Sequence, residues 1–249
     1  MKPKVAIATG DPGGIGPEIA IKAARDERVR ELCEPVLVGD RGALQAQARA
    51  CGLSLEGLAV HEREQLGPGE LEIGQVRPAH GRAALDSART AILGALAGDF
   101  QAVVAAPHTE AAIHAAGIEF DGYPSFVART CGLPPEDGIL MLCFEHQGRE
   151  VRIAHVTLHA GVAKALALIT KERVLKTLRA VQRVLGNPKI AVSGVNPHAG
   201  EGGAFGTEEI EVIGPALEQA RAEGIDVAGP VGADTLIQRR GFDAYVVML

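Results

Sequence analysis

The side chains best suited to chemistry stand where glycines are densest. In Ala191-Val-Ser-Gly-Val-Asn-Pro-His-Ala-Gly-Glu-Gly-Gly-Ala-Phe-Gly-Thr-Glu-Glu209, His198 lies between an Asn-Pro pair and four glycines, Gly200, Gly202, Gly203 and Gly206, that fall within seven residues. Such a loop lets the backbone approach a ligand closely. A purely structural turn has no use for Asn, His and Glu crowded among so many glycines, although a long flexible turn is the competing reading. His198 is therefore the candidate catalytic imidazole, and Gly194, Asn196, Glu201 and Gly203 are the candidate cofactor contacts. Asp234, in Gly229-Pro-Val-Gly-Ala-Asp234, starts a helix and serves either as its N-cap or as a catalytic carboxylate. His155 and His159 are four apart in the alternating run Val151-Arg-Ile-Ala-His-Val-Thr-Leu-His159. On a strand that spacing cannot chelate one ion at the usual geometry, so only His159, at the strand's end, is placed for a site.

Each of these residues needs an element to deliver it. Lys189-Ile-Ala-Val reads as a buried strand ended by Asn196-Pro197, and Thr207-Glu-Glu as the cap of the next helix. A loop between a strand's carboxyl end and a helix N-terminus is where an α/β sheet presents a site. The same pattern recurs upstream. Lys4-Val-Ala-Ile-Ala runs into Thr9-Gly-Asp-Pro-Gly-Gly-Ile-Gly-Pro-Glu18 and an Ala- and Ile-rich helix to about Arg30, a βα unit whose glycines match neither a dinucleotide fingerprint nor a Walker loop. Ala102-Val-Val-Ala-Ala106 delivers Pro107-His-Thr-Glu110, and a short helix from Ala111 to Ala116 puts His114 on a solvated face. Gly122-Tyr-Pro-Ser125 is a turn before a helix, Gln147-Gly148 a hairpin turn, Lys171–Leu185 a long amphipathic helix, and Ala244–Leu249 a final apolar strand. Alternating strands and helices predict a parallel or mostly parallel sheet.

Composition narrows the classes. A chain of 249 residues with 47% hydrophobic content buries a sizeable core, in one large or two modest α/β domains. A net charge of −6 argues against a nucleic-acid or anionic-membrane partner. Small molecules and other copies of the chain are the expected partners. The four cysteines, Cys33, Cys51, Cys131 and Cys143, have no C-x-x-C spacing, no secretory leader is evident, and no apolar run reaches roughly 18 residues, so a reduced, cytoplasmic protein is expected.

With Gly10-Asp-Pro-Gly-Gly-Ile-Gly-Pro-Glu18, Asn196-Pro-His-Ala-Gly-Glu-Gly-Gly203, Gly206-Thr-Glu-Glu209 and Gly232-Ala-Asp-Thr235 in this order, the chain resembles the 4-hydroxythreonine-4-phosphate dehydrogenase family along essentially its whole length. The resemblance implies two α/β/α lobes of the isocitrate/isopropylmalate dehydrogenase-like type with an interlobe cleft, here residues 1–115 and 116–249. It implies a homodimer, NAD as oxidant, and a divalent metal held by three histidines, of which His159 and His198 match here. Neutral imidazoles suit Zn, Co, Ni or Fe(II) better than Mg. Such an ion can polarise a secondary alcohol β to a carboxylate, favour hydride loss to NAD, and hold the enolate left by decarboxylation.

Departures from the family pattern bear on the substrate. Where the phosphothreonine enzymes commonly carry Gly-His-Thr-Glu the chain has Gly122-Tyr-Pro-Ser125, and where many carry Lys it has Glu110, so Tyr123, Pro124, Ser125 and Glu110 are the implied substrate contacts. Exchanging Lys for Glu moves the local charge by about two units against a phosphate dianion. These variants look like the branch that oxidises cis-dihydrodiol carboxylates, as in terephthalate breakdown. Two other classes stay open: a phosphate-binding transferase using the Gly10–Gly16 loop, and a truncated, non-catalytic homologue.

The family's third histidine follows directly after the stretch matched by Val246-Val-Met-Leu249. A catalytic metal needs about three protein ligands. The 249-residue chain is therefore expected to bind metal weakly, to turn over little and to associate. Metal titration and NADH production measured on that chain check this; tight stoichiometric metal would make Asp234 the third ligand.

Overall fold

Short apolar runs, each followed by a glycine-, proline- or aspartate-led helix, build the computed structural model, which describes residues 2–158 and 160–249. The first compact unit, Met1–Pro135, contains β1 (Lys4–Ala8), α1 (Gly16–Arg25), α2 (Glu27–Leu32), β2 (Glu34–Gly39), α3 (Arg41–Ala50), β3 (Ala59–Glu62), α4 (Pro78–Ala97), β4 (Ala102–Ala105), α5 (Glu110–Ala115) and α6 (Tyr123–Thr130). Its four strands are parallel in the order β3-β2-β1-β4. The pleat sends successive residues to opposite faces. Ile7 and Leu37 meet Ala20, Ile21 and Ala24 of α1 and Leu44 and Ala48 of α3, while Ala6, Ala8 and Val38 meet Ala88 and Ala91 of α4. Asp40 starts α3 by accepting the Ala43 N–H at 2.8 Å, the bond an N-cap exists to supply.

The stretch from 116 to 135, expected with the second lobe, packs in the first unit. Phe120 buries against Leu85 of α4 and Ile113 of α5, with Tyr123 and Phe126 beside it. Those aromatic contacts hold α6 to α4 and move the boundary to Pro135/Glu136.

The second unit, Glu136–Leu249, contains β5 (Met141–His146), β6 (Arg149–His155), α7 (Val162–Leu168), α8 (Lys171–Leu185), β7 (Ile190–Ser193), α9 (Gly214–Ala222), β8 (Val227–Val231), α10 (Ala233–Leu236) and β9 (Ala244–Val247). Strand order is β5-β6-β9-β7-β8, parallel except for the β5–β6 hairpin. The hairpin turns on Gln147 and Gly148, both at positive φ (52° and 72°), as a two-residue loop matching strand twist requires. The last strand, β9, lies in the middle of the sheet between β6 and β7. One face buries Val174, Leu178 and Val181 of α8 and Ala216, Leu217 and Ala220 of α9, and the other buries Leu236 and Tyr245. Both units thus show a mixed α/β fold with a largely or wholly parallel sheet. Among the described residues no helix is long and apolar enough to cross a membrane.

β6 is shorter than its alternation predicts. It leaves the ladder after His155, and His159 lies outside the described residues. A single phenol fixes this side of the sheet. The Tyr245 hydroxyl, in a side chain 1% exposed, donates to the Arg239 carbonyl at 2.7 Å and accepts from Arg149 Nη1 at 2.8 Å, while Arg149 Nη2 reaches the Ile237 carbonyl at 2.5 Å. Tyr245→Phe leaves a carbonyl and a guanidinium hydrogen unpaired, which costs about 1–3 kcal/mol. Urea unfolding should show that loss with an unchanged slope.

Candidate functional site

In the second unit the parallel strands end together, and their carboxyl ends carry the candidate residues. The loop after β7 holds His198, and the turn after β8 holds Asp234. Gly194 N–H donates to the Val231 carbonyl at 2.7 Å, tying the two exits together. A Cβ on Gly232 would lie 3.7 Å from His198 Cα and 2.6 Å from Asp234 Oδ1, so the two catalytic candidates come within reach of one glycine. Asp234 does not cap α10. Gly232 holds the cap position and has no side chain to accept the first turn's N–H groups, and the Asp234 carboxylate is exposed.

The loop itself winds the wrong way. His198, Ala199, Gly200, Glu201 and Gly202 have φ of 52°, 54°, 79°, 43° and 65°, a left-handed turn. Each of its non-glycine members costs about 1–2 kcal/mol there. The turn opens with Ala199 N–H on the Asn196 carbonyl at 3.1 Å and closes with Phe205 N–H on the Gly200 carbonyl at 3.2 Å. Inside it sits Glu209, 5% exposed. Its Oε1 accepts the N–H groups of Val195 (2.7 Å) and Asn196 (2.8 Å), and its Oε2 accepts Asn196 Nδ2 at 2.9 Å. Burial pushes the Glu209 carboxyl up, but the bonds from the Asn196 side chain and from the Asn196 and Val195 backbone outweigh it and hold the group below the usual carboxylate range.

Of the four cofactor candidates, Gly194 and Asn196 are tied down at the strand exit. The Gly194 N–H is on Val231, and Asn196 Nδ2 is shared by Glu208 (2.6 Å) and Glu209. Glu201 is exposed and Gly203 half-buried. The helix after the loop differs from expectation too. Thr207 contributes its carbonyl, to the N–H groups of Ile210 (2.9 Å) and Glu211 (2.8 Å), and a π-helical turn over Glu209–Ile213 precedes α9. Such turns recur at functional sites.

The metal reading meets a shortfall. His198 is exposed, with its ring centroid 6.2 Å from that of Phe205, and can present an imidazole outward. Among the described residues no group of three or more His, Cys, Asp or Glu converges, and a catalytic ion wants about three protein donors. The described residues therefore do not complete a metal site, and Asp234 does not supply the missing ligand within them. His155 stands at the end of β6 rather than in mid-strand. Its Nδ1 faces the Leu249 carbonyl at 3.2 Å, and its Nε2 is buried with no hydrogen-bond partner among the described residues.

In the first unit the loop from Gly10 to Gly16 is filled by its own protein. Asp11 takes the Gly13 N–H (2.9 Å) and the Thr109 hydroxyl (2.5 Å), joining the exits of β1 and β4. Buried Gln47 donates to the carbonyls of Pro12 (3.2 Å) and Gly14 (3.0 Å), and a Cβ on Gly13 would strike the His80 ring at 2.4 Å. A carboxylate sits where a transferase would need cations. Glu110 starts α5 and is exposed; His114 is exposed with its ring on the Phe120 carbonyl at 3.2 Å. Tyr123 starts α6 with Pro124 and Ser125 half-buried after it, but its ring packs edge-on to His108 (4.7 Å between centroids), and its buried hydroxyl has no partner among the described residues. Burial pushes the phenol up to about 12. Burial also pushes the His108 imidazole down, past the opposing pull of Glu110 and Asp11.

Sequence reasoning passed over Glu209, Asp11, Gln47 and His108. The doubled Glu208-Glu209 after the glycines was a signal, but only burial distinguishes the inward carboxylate from the exposed one.

A family profile described as pyridoxal phosphate biosynthetic protein PdxA matches residues 31–249. The 1,2-dihydroxy-3,5-cyclohexadiene-1,4-dicarboxylate dehydrogenase of Comamonas sp. is 40% identical over 252 residues, covering 99% of this chain and 79% of that protein. The 4-hydroxythreonine-4-phosphate dehydrogenase of Trichlorobacter lovleyi is 36% identical over 274 residues, covering 99% of this chain and 80% of that protein. A crystal structure of 4-hydroxythreonine-4-phosphate dehydrogenase from Klebsiella pneumoniae superposes with a TM-score of 0.85 at 29% identity, over 100% of this chain and 80% of that one.

A matched pair of substitutions tests the loop. Gly200 and Gly202 share positive φ, but a Cβ on Gly200 would meet Glu209 Oε2 at 2.7 Å and the Gly206 carbonyl at 3.0 Å, whereas one on Gly202 meets nothing within 4 Å. Gly202→Ala should cost about 1 kcal/mol, the left-handed penalty alone, and Gly200→Ala at least about twice that, read by urea unfolding.

Proposed function

The chain belongs to the pyridoxal phosphate biosynthetic protein PdxA family, and on that premise we propose that it is an NAD-dependent dehydrogenase oxidising a secondary alcohol β to a carboxylate, with decarboxylation. Its substrate on this reading is a cis-dihydrodiol carboxylate rather than a phosphorylated hydroxythreonine, and it works as a homodimer. The observation that carries the substrate choice is the exit of β4. Glu110 stands there beside His108, whose pKa is lowered, and Asp11, so this strand end offers no cation to a phosphate dianion. The 40% identity to the Comamonas dihydrodiol dicarboxylate dehydrogenase supports the same choice.

When bound, NAD+ supplies the hydride acceptor. Asp234 takes the hydroxyl proton while the carbon–hydrogen bond breaks with its electron pair, leaving a ketone β to the carboxylate. The bond to the carboxylate then cleaves to CO2, its electrons pass into an enolate that in a cyclohexadiene ring is an aromatic catecholate, and that oxygen takes up a proton. Glu201, whose side chain is exposed, and Gly203 are the cofactor contacts. A divalent ion held by His159 and His198 would need a further donor beyond the described residues.

Incubation with NAD+ and either substrate, with and without a chelator, tests the reading. The dihydrodiol carboxylate should give chelator-sensitive NADH and CO2, at the low turnover that an incomplete ligand set allows, and the phosphorylated hydroxythreonine at least about tenfold less, given the charge difference. Glu110→Lys should narrow that gap through KM. Preference for the phosphorylated compound by the unaltered chain would establish the alternative substrate.

A further inference from the structure

The left-handed turn at 198–202 is unfavourable by itself, since three of its five residues carry a Cβ. Conformations of that kind persist only where the surroundings over-determine them. At the centre of those surroundings is one carboxylate. Glu209 Oε1 gathers the two N–H groups that precede the turn, at 2.7 and 2.8 Å, and Oε2 gathers the Asn196 amide at 2.9 Å. The turn closes around the same group. A Cβ on Gly194 would lie 2.7 Å from Oε1, and one on Gly200 would lie 2.7 Å from Oε2, so glycine at both positions makes the room that the carboxylate fills. Neighbouring Glu208 is exposed and bonds Asn196 Nδ2 only.

We propose that Glu209 is the positioning residue for His198: its buried carboxylate is the template around which the left-handed turn closes, and that turn sets where the imidazole is presented. The inference rests on the functional reading of His198. It needs both oxygens of an acid. Glutamine keeps one acceptor for the backbone N–H groups but turns an NH2 towards Asn196 Nδ2, donor against donor. Alanine removes the template altogether.

The test follows backbone amides and the His198 ring in the full chain by NMR. Exchange at Val195 and Asn196 should rise about tenfold in Glu209→Gln and about a hundredfold in Glu209→Ala, in line with losing one or all of a set of charge-assisted bonds. The His198 ring resonances should move in both variants, and zinc affinity, measured against a chromophoric chelator, should fall in the same order. Glu211→Gln removes an exposed carboxylate from the same turn and should leave all three readouts unchanged. Wild-type exchange and an unmoved His198 ring in Glu209→Gln would overturn the proposal, and that variant decides the matter if Glu209→Ala does not fold. Zinc affinity unaffected by His198→Ala would instead defeat the ligand reading of His198, while the amide exchange still decides Glu209.

Discussion

A carboxylate drawn out of water needs hydrogen-bond donors around it, and in this protein that need organises the stretch on which its chemistry is proposed. Glu209 is buried, and the donors that surround it are the N–H groups of Val195 and Asn196 and the amide of Asn196. Those donors sit at the exit of β7, so satisfying the charge draws the loop back over the strand end. The glycines fit this arrangement: Gly194 and Gly200 leave the space the carboxylate occupies. The competing reading of the motif, a long flexible turn, gives way to a loop whose inner side packs around one carboxylate.

The strand exits of the first unit obey the same rule with different partners. Asp11 is buried and takes the Gly13 N–H and the Thr109 hydroxyl, so the exits of β1 and β4 are joined through a single side chain. Gln47 and the Gly74 N–H, which donates to the Gly13 carbonyl at 2.8 Å, complete the loop's bonding. A glycine-rich loop after a first strand is an anion site only when its N–H groups point at empty space. Here an internal acid takes one of them, which removes the basis for a phosphate-transfer reading.

Small side chains let the sheets carry these loops. Ala6, Ala8, Ala88 and Ala91 are essentially fully buried between β1 and α4, and Ala216 and Ala220 between α9 and the second sheet. Close approach of helix to strand fixes where each strand ends. With β9 central in its sheet, the exits of β6 and β7 are held in register by a strand that contributes no predicted site residue of its own, and β8 takes its register from β7.

Periodicity and turn residues by themselves determined the alternation of strands and helices, the mostly parallel sheets, the Gln147-Gly148 hairpin and the Lys171–Leu185 helix, and the resemblance of the glycine-rich motifs gave the family. These follow from local preferences and from residue types that chemistry restricts. The loop after β7 was legible for the same reason. What only the tertiary structure decided is which polar groups face inward. The unit boundary at Pro135/Glu136 depends on Phe120 reaching α4 and α5, the end of β6 at His155 on where the ladder with β9 stops, and the role of Glu209 on donors 13 and 14 residues away. Burial and long-range hydrogen bonding are properties of neighbours brought together by folding, and no run of residues carries them in its own spacing.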